Sequence, residues 1–137
     1  MPYVNVYGVN LYYEEYGTGP AVILTGGVRT PSDALVGPIA DLAIRSLHFD
    51  LLFLGCHGID PVAGLTTPNL AEAETNRAFV KAARKVTVIA DHTKWGIVGL
   101  SSFADLDDVD TLITDSGLPD EARTALADRV GQLIIAN

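Results

Sequence analysis

Between Pro38 and Ala136, short apolar runs alternate with segments whose apolar residues recur at helical spacing, which restricts the chain to few architectures. Pro38–Leu47 sets Ile39, Ala40, Ala43 and Leu47 at that spacing, with Pro38 where a first helical turn tolerates a missing N–H. His48–Leu54 predicts a compact apolar strand. Asn69 predicts a helix start, with Glu72 three residues on as a variant of the capping box, and that helix runs to Arg84. Lys85–Ala90 predicts a second strand, Trp95–Leu100 a further short one, and Asp110–Thr114 another. Pro119–Val130 carries Ala122, Leu126 and Val130 on one helical face, and Gly131–Ala136 closes as a strand. Strands separated by helices join through right-handed crossovers. The expected fold class is therefore α/β, a mostly parallel sheet with flanking helices.

The front of the chain follows a different rule. Residues 3–7 and 11–16 are rich in aromatic and β-branched side chains, and Gly8, Val9 and Asn10 lie between them, which predicts an N-terminal antiparallel β-hairpin. Gly17-Thr-Gly-Pro20 breaks the pattern, and Ala21–Thr25 predicts a short buried strand. No tyrosine follows Tyr16, although five precede it or stand there. This shift in composition suggests two origins.

Charge excludes several classes of partner. Nine Lys and Arg against 17 Asp and Glu give a formal charge of −8, and the cations are scattered rather than arrayed in a stripe. Such a surface lacks the counterion release that drives binding to duplex DNA, so no direct nucleic-acid contact is expected. The apolar runs fall far short of the roughly 20 residues that cross a bilayer, so no membrane partner is expected either. A basic and apolar leader is absent from the first residues. The lone Cys56 cannot form an internal disulfide, which fits a reducing, cytoplasmic setting.

The remaining motifs carry a family resemblance. Leu24-Thr-Gly-Gly27 with Arg29, Leu35-Val-Gly-Pro38, Phe53-Leu-Gly55 with Gly58-Ile59, and Gly64-Leu-Thr-Thr67 come first. Glu74 and Arg77, Asp91-His-Thr-Lys94-Trp95, and Leu112-Ile-Thr-Asp115 follow in the same order. From about Val22 to Ala136 the chain resembles the C-terminal effector domain of DeoR-type repressors. The resemblance implies a Rossmann-like sheet shared with ribose-phosphate isomerases and CoA transferases, a phosphorylated-sugar ligand, and oligomeric assembly. It also implies a front strand with a Gly-Thr-Thr phosphate loop and a separate DNA-binding winged helix, neither of which is found in these residues. The expectation is a domain shortened at its front. Where the family has Gly-x-Asp-Gly, this chain has Gly55-Cys-His57-Gly58.

Residues 1–25 resemble something else. Asn5 to Leu24 is similar to the opening hairpin and third strand of α/β-hydrolases, with Gly26-Gly27 in place of their His-Gly turn. The expected organisation is a single chimeric domain over 1–137, natural or engineered, with a hydrolase-like piece at 1–25 and a shortened effector domain at 26–137.

The chemistry-bearing residues divide into few candidates. A serine hydrolase needs Gly-x-Ser-x-Gly followed by an acid and a histidine. Gly99-Leu-Ser101-Ser102-Phe103 has Phe at the second glycine, and no histidine follows His92. Asp105, Asp107, Asp108 and Asp110 suggest a calcium loop, but Asp110 and Ser116 stand where Gly and Glu are required. His48, His57 and His92 share no metal-ligand spacing with Cys56. No catalytic residue, metal or cofactor is expected. Cys56 is expected to be a small core residue, having no cation near it in sequence. The candidate ligand-binding residues are Gly26 and Gly27, whose N–H groups can cradle an anion, His57 and Gly58 at a strand end, and Lys94. Lys94 matches the Lys of the family's Ser-Lys-Phe motif; a surface pair with Asp91 is the alternative.

The expected function is a chimera without catalytic activity. The alternatives are a residual phosphosugar-binding module of a transcriptional regulator, or a hydrolase-like enzyme. A sugar phosphate is expected to bind weakly or not at all, with a dissociation constant on the order of millimolar or worse. A homo-oligomer, most simply a dimer, is expected to cover apolar surface through Gly131–Ala136 or the hairpin.

Overall fold

The computed structural model describes residues 3–6, 9–12, 18, 19 and 26–136, the first two segments by their backbone. The elements run β1 (Tyr3–Val6), β2 (Val9–Tyr12), β3 (Val28–Arg29), β4 (Leu35–Val36) and α1 (Pro38–Arg45). They continue with β5 (Leu52–Leu54), β6 (Gly58–Asp60), β7 (Gly64–Thr67), α2 (Leu70–Ala82), β8 (Val86–Ile89) and β9 (Ser101–Ala104). Last come β10 (Thr111–Asp115), α3 (Asp120–Ala127) and β11 (Gln132–Ala136).

Four strands in the order β11-β10-β8-β5, all parallel, form the central sheet, so the α/β class with flanking helices and a hairpin is what the chain adopts. The register sets Leu52 beside Val86, and Val88 beside Leu112, on one face. That face buries against Ala73 of α2 and Ala122 and Leu126 of α3. Strand alternation sends Phe53, Ile89, Ile113 and Ile134 to the other face. There Phe53 is 60% exposed, Ile89 53% and Ile134 37%.

The helices are bounded by local chemistry. Gly37, with φ +101°, starts α1, and Pro38 occupies its first turn. Ala40 and Ile44 of α1 bury against Ala78 of α2. Across the same contact the Thr75 hydroxyl donates to Asp41 Oδ1 at 2.5 Å. Asn69 caps α2 through Oδ1, which accepts from the N–H groups of Ala71 at 2.9 Å and Glu72 at 3.1 Å.

A second, antiparallel sheet in the order β6-β7-β9 stands beyond the carboxyl end of β5. Asp60 closes its first turn, with Oδ1 accepting from Val62 and Ala63, both at 2.8 Å. The strand expected at Trp95–Leu100 does not form. Gly96 adopts φ +75°, which breaks the extended run, and the strand falls on Ser101–Ala104 instead.

The hairpin forms, but Val9 and Asn10 belong to its second strand, with Asn10 opposite Asn5, and not to the connection. Its two strands pair with each other and with no other described strand. The strand expected at Ala21–Thr25 lies outside the described residues.

Candidate functional site

Parallel strands deliver their following loops to one end of the sheet, and there the chain has a cleft of about 1020 Å³. The β5 loop contributes Gly55, Cys56 and His57, the turn after β8 contributes Lys94, and the start of α2 contributes Asn69, Glu72 and Asn76. The loop between β3 and β4 closes another side with Ser32.

Lys94 ends a 3-10 turn, His92–Lys94, that Asp91 caps by accepting from the Thr93 N–H at 2.8 Å. The Thr93 hydroxyl also donates to Asp91, and these bonds hold the Asp91 carboxyl below its usual range. With Asp91 turned to Thr93, Lys94 makes no ion pair among the described residues. The expected alternative, a surface pair of Lys94 with Asp91, is not what forms. Lys94 is half-buried and lines the cleft as a cation.

Cys56 stands beside it. Burial pushes the thiol up to about 12, against the pull of the Lys94 charge. A cation does therefore approach Cys56, from another loop, but desolvation wins and the sulfur stays protonated at neutral pH.

Glu72 is the residue that the sequence pattern misassigned. Its carboxylate does not return to the Asn69 N–H as in a capping box. It accepts from the Thr67 hydroxyl at 3.0 Å and from the Ser32 hydroxyl. Partial burial works against ionisation, but the hydroxyls of Ser32, Thr30 and Thr67 outweigh it and hold the acid below its usual range. Ser32 lies forty positions away in sequence, so no local pattern could announce this arrangement.

The other sequence candidates scatter. His57 is exposed and lines the cleft, its backbone N–H donating to the Thr66 carbonyl at 3.0 Å. Gly58 is buried beneath it, where a Cβ would stand 2.0 Å from the Ile97 carbonyl oxygen, so close packing accounts for this glycine. Gly26 and Gly27 are exposed with φ of +70° and +118°, and neither is among the residues that line the cleft. A Cβ on Gly27 would stand 2.6 Å from the Val36 carbonyl oxygen.

His48 precedes β5 at the opposite end of the sheet and is exposed. His92 turns away from the cleft to Asp115. Ser101 and Ser102 begin a strand of the antiparallel sheet rather than a strand-to-helix turn. Arg77 occupies them, donating to Ser101 Oγ at 3.0 Å and the Ser102 carbonyl at 2.6 Å. The acidic run is also engaged: Asp107 pairs with Arg129 at 2.6 Å, Asp108 accepts from the Asp105 N–H and Asp110 from the Val86 N–H. Among the described residues no group of His, Cys, Asp and Glu could hold a metal, and no helix is long and apolar enough to cross a membrane.

Comparison with known proteins agrees with this geometry. The DeoR C-terminal sensor domain matches residues 14–116. The HTH-type transcriptional regulator GlpR of Haloferax volcanii is 44% identical over 103 residues, 74% of this chain and 40% of its own length. A putative aga operon transcriptional repressor of Escherichia coli O157:H7 is 33% identical over 109 residues, 79% of this chain and 40% of its own. The regulator GolR of Listeria innocua is 38% identical over 97 residues, 70% of this chain and 38% of its own. The chain thus spans about two-fifths of the length of these relatives.

The match begins at residue 14, inside the segment expected to be hydrolase-like, so neither the hydrolase piece nor the chimera is supported. A hairpin and one apolar strand before a glycine pair suit many α/β folds, which is why so short a likeness did not discriminate. The single ordered match across residues 14–116 carries the assignment: this chain belongs to the DeoR family of transcriptional regulators and contains its C-terminal sensor domain.

Proposed function

We propose that the chain is the effector-binding module of a transcriptional regulator and that it senses a sugar phosphate in the cleft between Lys94 and Glu72. The observation that carries this reading is Lys94, a half-buried cation without an ion-pair partner among the described residues, at the carboxyl end of a parallel sheet. Charge–hydrogen-bond contact from such a cation suits a phosphate, and the polar start of α2 suits a hydroxylated body. Membership of a sensor-domain family supports it.

An enzymatic role has less support. The Cys56 thiol is held protonated, and Ser101 is taken by Arg77. Contact with DNA is assigned to a part of the regulator outside these residues, since a charge of −8 opposes it here.

Calorimetric titration with a set of sugar phosphates tests the reading. Binding on the order of millimolar or tighter is expected, with at least tenfold loss in Lys94→Ala. Equal binding by the variant overturns the role of Lys94, and no binding at all overturns the sensor function.

A further inference from the structure

The cleft is electrically divided. Among the described residues lining it, Lys94 is the one amine cation and Glu72 the one carboxylate. The hydroxyls of Ser32, Thr30 and Thr67 keep Glu72 ionised, so it accepts hydrogen bonds and donates none. A carboxylate has about four lone-pair sites, and the Ser32 and Thr67 hydroxyls leave others for a ligand. A phosphate beside this group meets like charge, which steers the anionic end of a ligand toward Lys94.

The surroundings of Glu72 extend the pattern. Asn69 spends its Oδ1 on the N–H groups of Ala71 and Glu72, which leaves its amide NH2 as a donor. Asn76 stands one turn beyond Glu72, on the same side of α2, and lines the same cleft. One wall therefore offers donors and acceptors in alternation, as a chain of hydroxyls requires. At about 1020 Å³ the cleft has ample space for a six-carbon ligand.

We propose that Glu72 is a specificity-determining residue that selects phosphate monoesters bearing a polyhydroxylated chain, accepting hydrogen bonds from the ligand's hydroxyls while Lys94 holds the phosphate. This rests on the sensor reading above and adds what that reading leaves open, namely how a polyol phosphate is told from any other phosphate. A site that hydrogen-bonds hydroxyls favours the ligand that carries them over the analogue without them.

The test uses three probes on the intact chain: inorganic phosphate, hexyl phosphate and sorbitol 6-phosphate. The last two share six carbons and a phosphate and differ in their hydroxyls. Sorbitol 6-phosphate is expected to bind about tenfold or more tightly than hexyl phosphate, the order expected of a hydrogen bond to a charged group. Glu72→Gln, which keeps the side-chain volume, is expected to erase most of that preference while inorganic phosphate binds as well as before or better.

Because Glu72 also ties the Ser32 loop to α2, Ser32→Ala is measured alongside, and thermal unfolding confirms that each variant is folded. Equal weakening of all three probes in Glu72→Gln would assign Glu72 to holding that loop and overturn the proposal. An undiminished preference for sorbitol 6-phosphate overturns it as well. Failure of every probe on the unmodified chain overturns the sensor reading together with it. Binding that is lost in Lys94→Ala but shows no hydroxyl preference overturns only the role of Glu72.

Discussion

Asp115 holds His92 twice: its carboxylate accepts the His92 backbone N–H at 2.6 Å and faces Nδ1 of the same residue at 2.7 Å. A third bond comes from the Gly117 N–H at 3.1 Å. The imidazole lies so close to Gly117 that a Cβ there would meet Nδ1 at 2.5 Å. This clamp joins the loops after β8 and β10, and it fixes the base of the turn that carries Lys94.

The His92 bonds, chiefly the backbone one, bring the Asp115 carboxyl down to about 2. A carboxyl lowered in the folded state contributes stability above its unfolded pKa, about 4, and loses it as pH falls toward the folded value. Thermal midpoints measured from pH 6 to pH 2 are expected to show a steeper acid decline in the parent than in Asp115→Asn. The variant should melt lower at pH 6, and the two curves should converge near pH 2. Parallel curves would mean that the clamp contributes nothing to acid sensitivity.

Gly58→Ala is expected to destabilise by about 1–3 kcal/mol or more, since overpacking against backbone is not relieved by rotating a side chain. The added methyl would stand 2.0 Å from the Ile97 oxygen and 2.9 Å from Thr66 Oγ1. Urea midpoints check this. An unchanged midpoint would show that the 97–100 segment gives way freely.

Asn69→Ala removes the acceptor for two N–H groups at the start of α2 and is expected to cost about 0.5–2 kcal/mol. Asn69→Asp should recover most of it, and in the same unfolding assay a loss as large in Asp as in Ala would contradict the capping role.

Cys56 should resist alkylation. A thiol raised from 9.0 to about 12 has about a thousandfold less thiolate at neutral pH, and thiolate is the reacting species. Iodoacetamide labelling of the folded chain is expected to be slower by two to three orders of magnitude than in about 6 M guanidinium, where the shift disappears. Comparable rates would show that the burial is not sustained in solution.

We also propose that two copies associate through the sheet face on which Phe53, Ile89 and Ile134 are exposed, a face that no described helix covers. Parallel sheets are ordinarily covered on both faces, and exposed apolar side chains of this kind mark contact surfaces. Light scattering is expected to return twice the 14.5 kDa chain mass, and Phe53→Lys should return it to one. A monomer at all concentrations would refute the contact.

Much of the architecture was legible in the chain because its cause is local. The helical spacing of Ala122 and Leu126, the Asn69 cap and the apolar runs of β8 and β10 act over a few residues, and each element formed within a few positions of its expected bounds. The place of Lys94 just after a strand that ends at Ile89 was legible for the same reason. The antiparallel sheet escaped notice because β6, β7 and β9 are short, β6 and β7 begin at glycine, and β9 pairs across thirty-odd residues. Glu72 escaped because a capping motif and a cleft carboxylate look alike until Ser32 and Thr67 arrive to claim it. The bond between His92 and Asp115 left no sign in the sequence, because 23 positions separate the two residues. Propensity and periodicity are properties of neighbours in sequence, so they determined the helices and the strands of the parallel sheet. Which polar side chain faces the cleft depends on partners that only folding brings within hydrogen-bond reach, so tertiary structure alone decided the site.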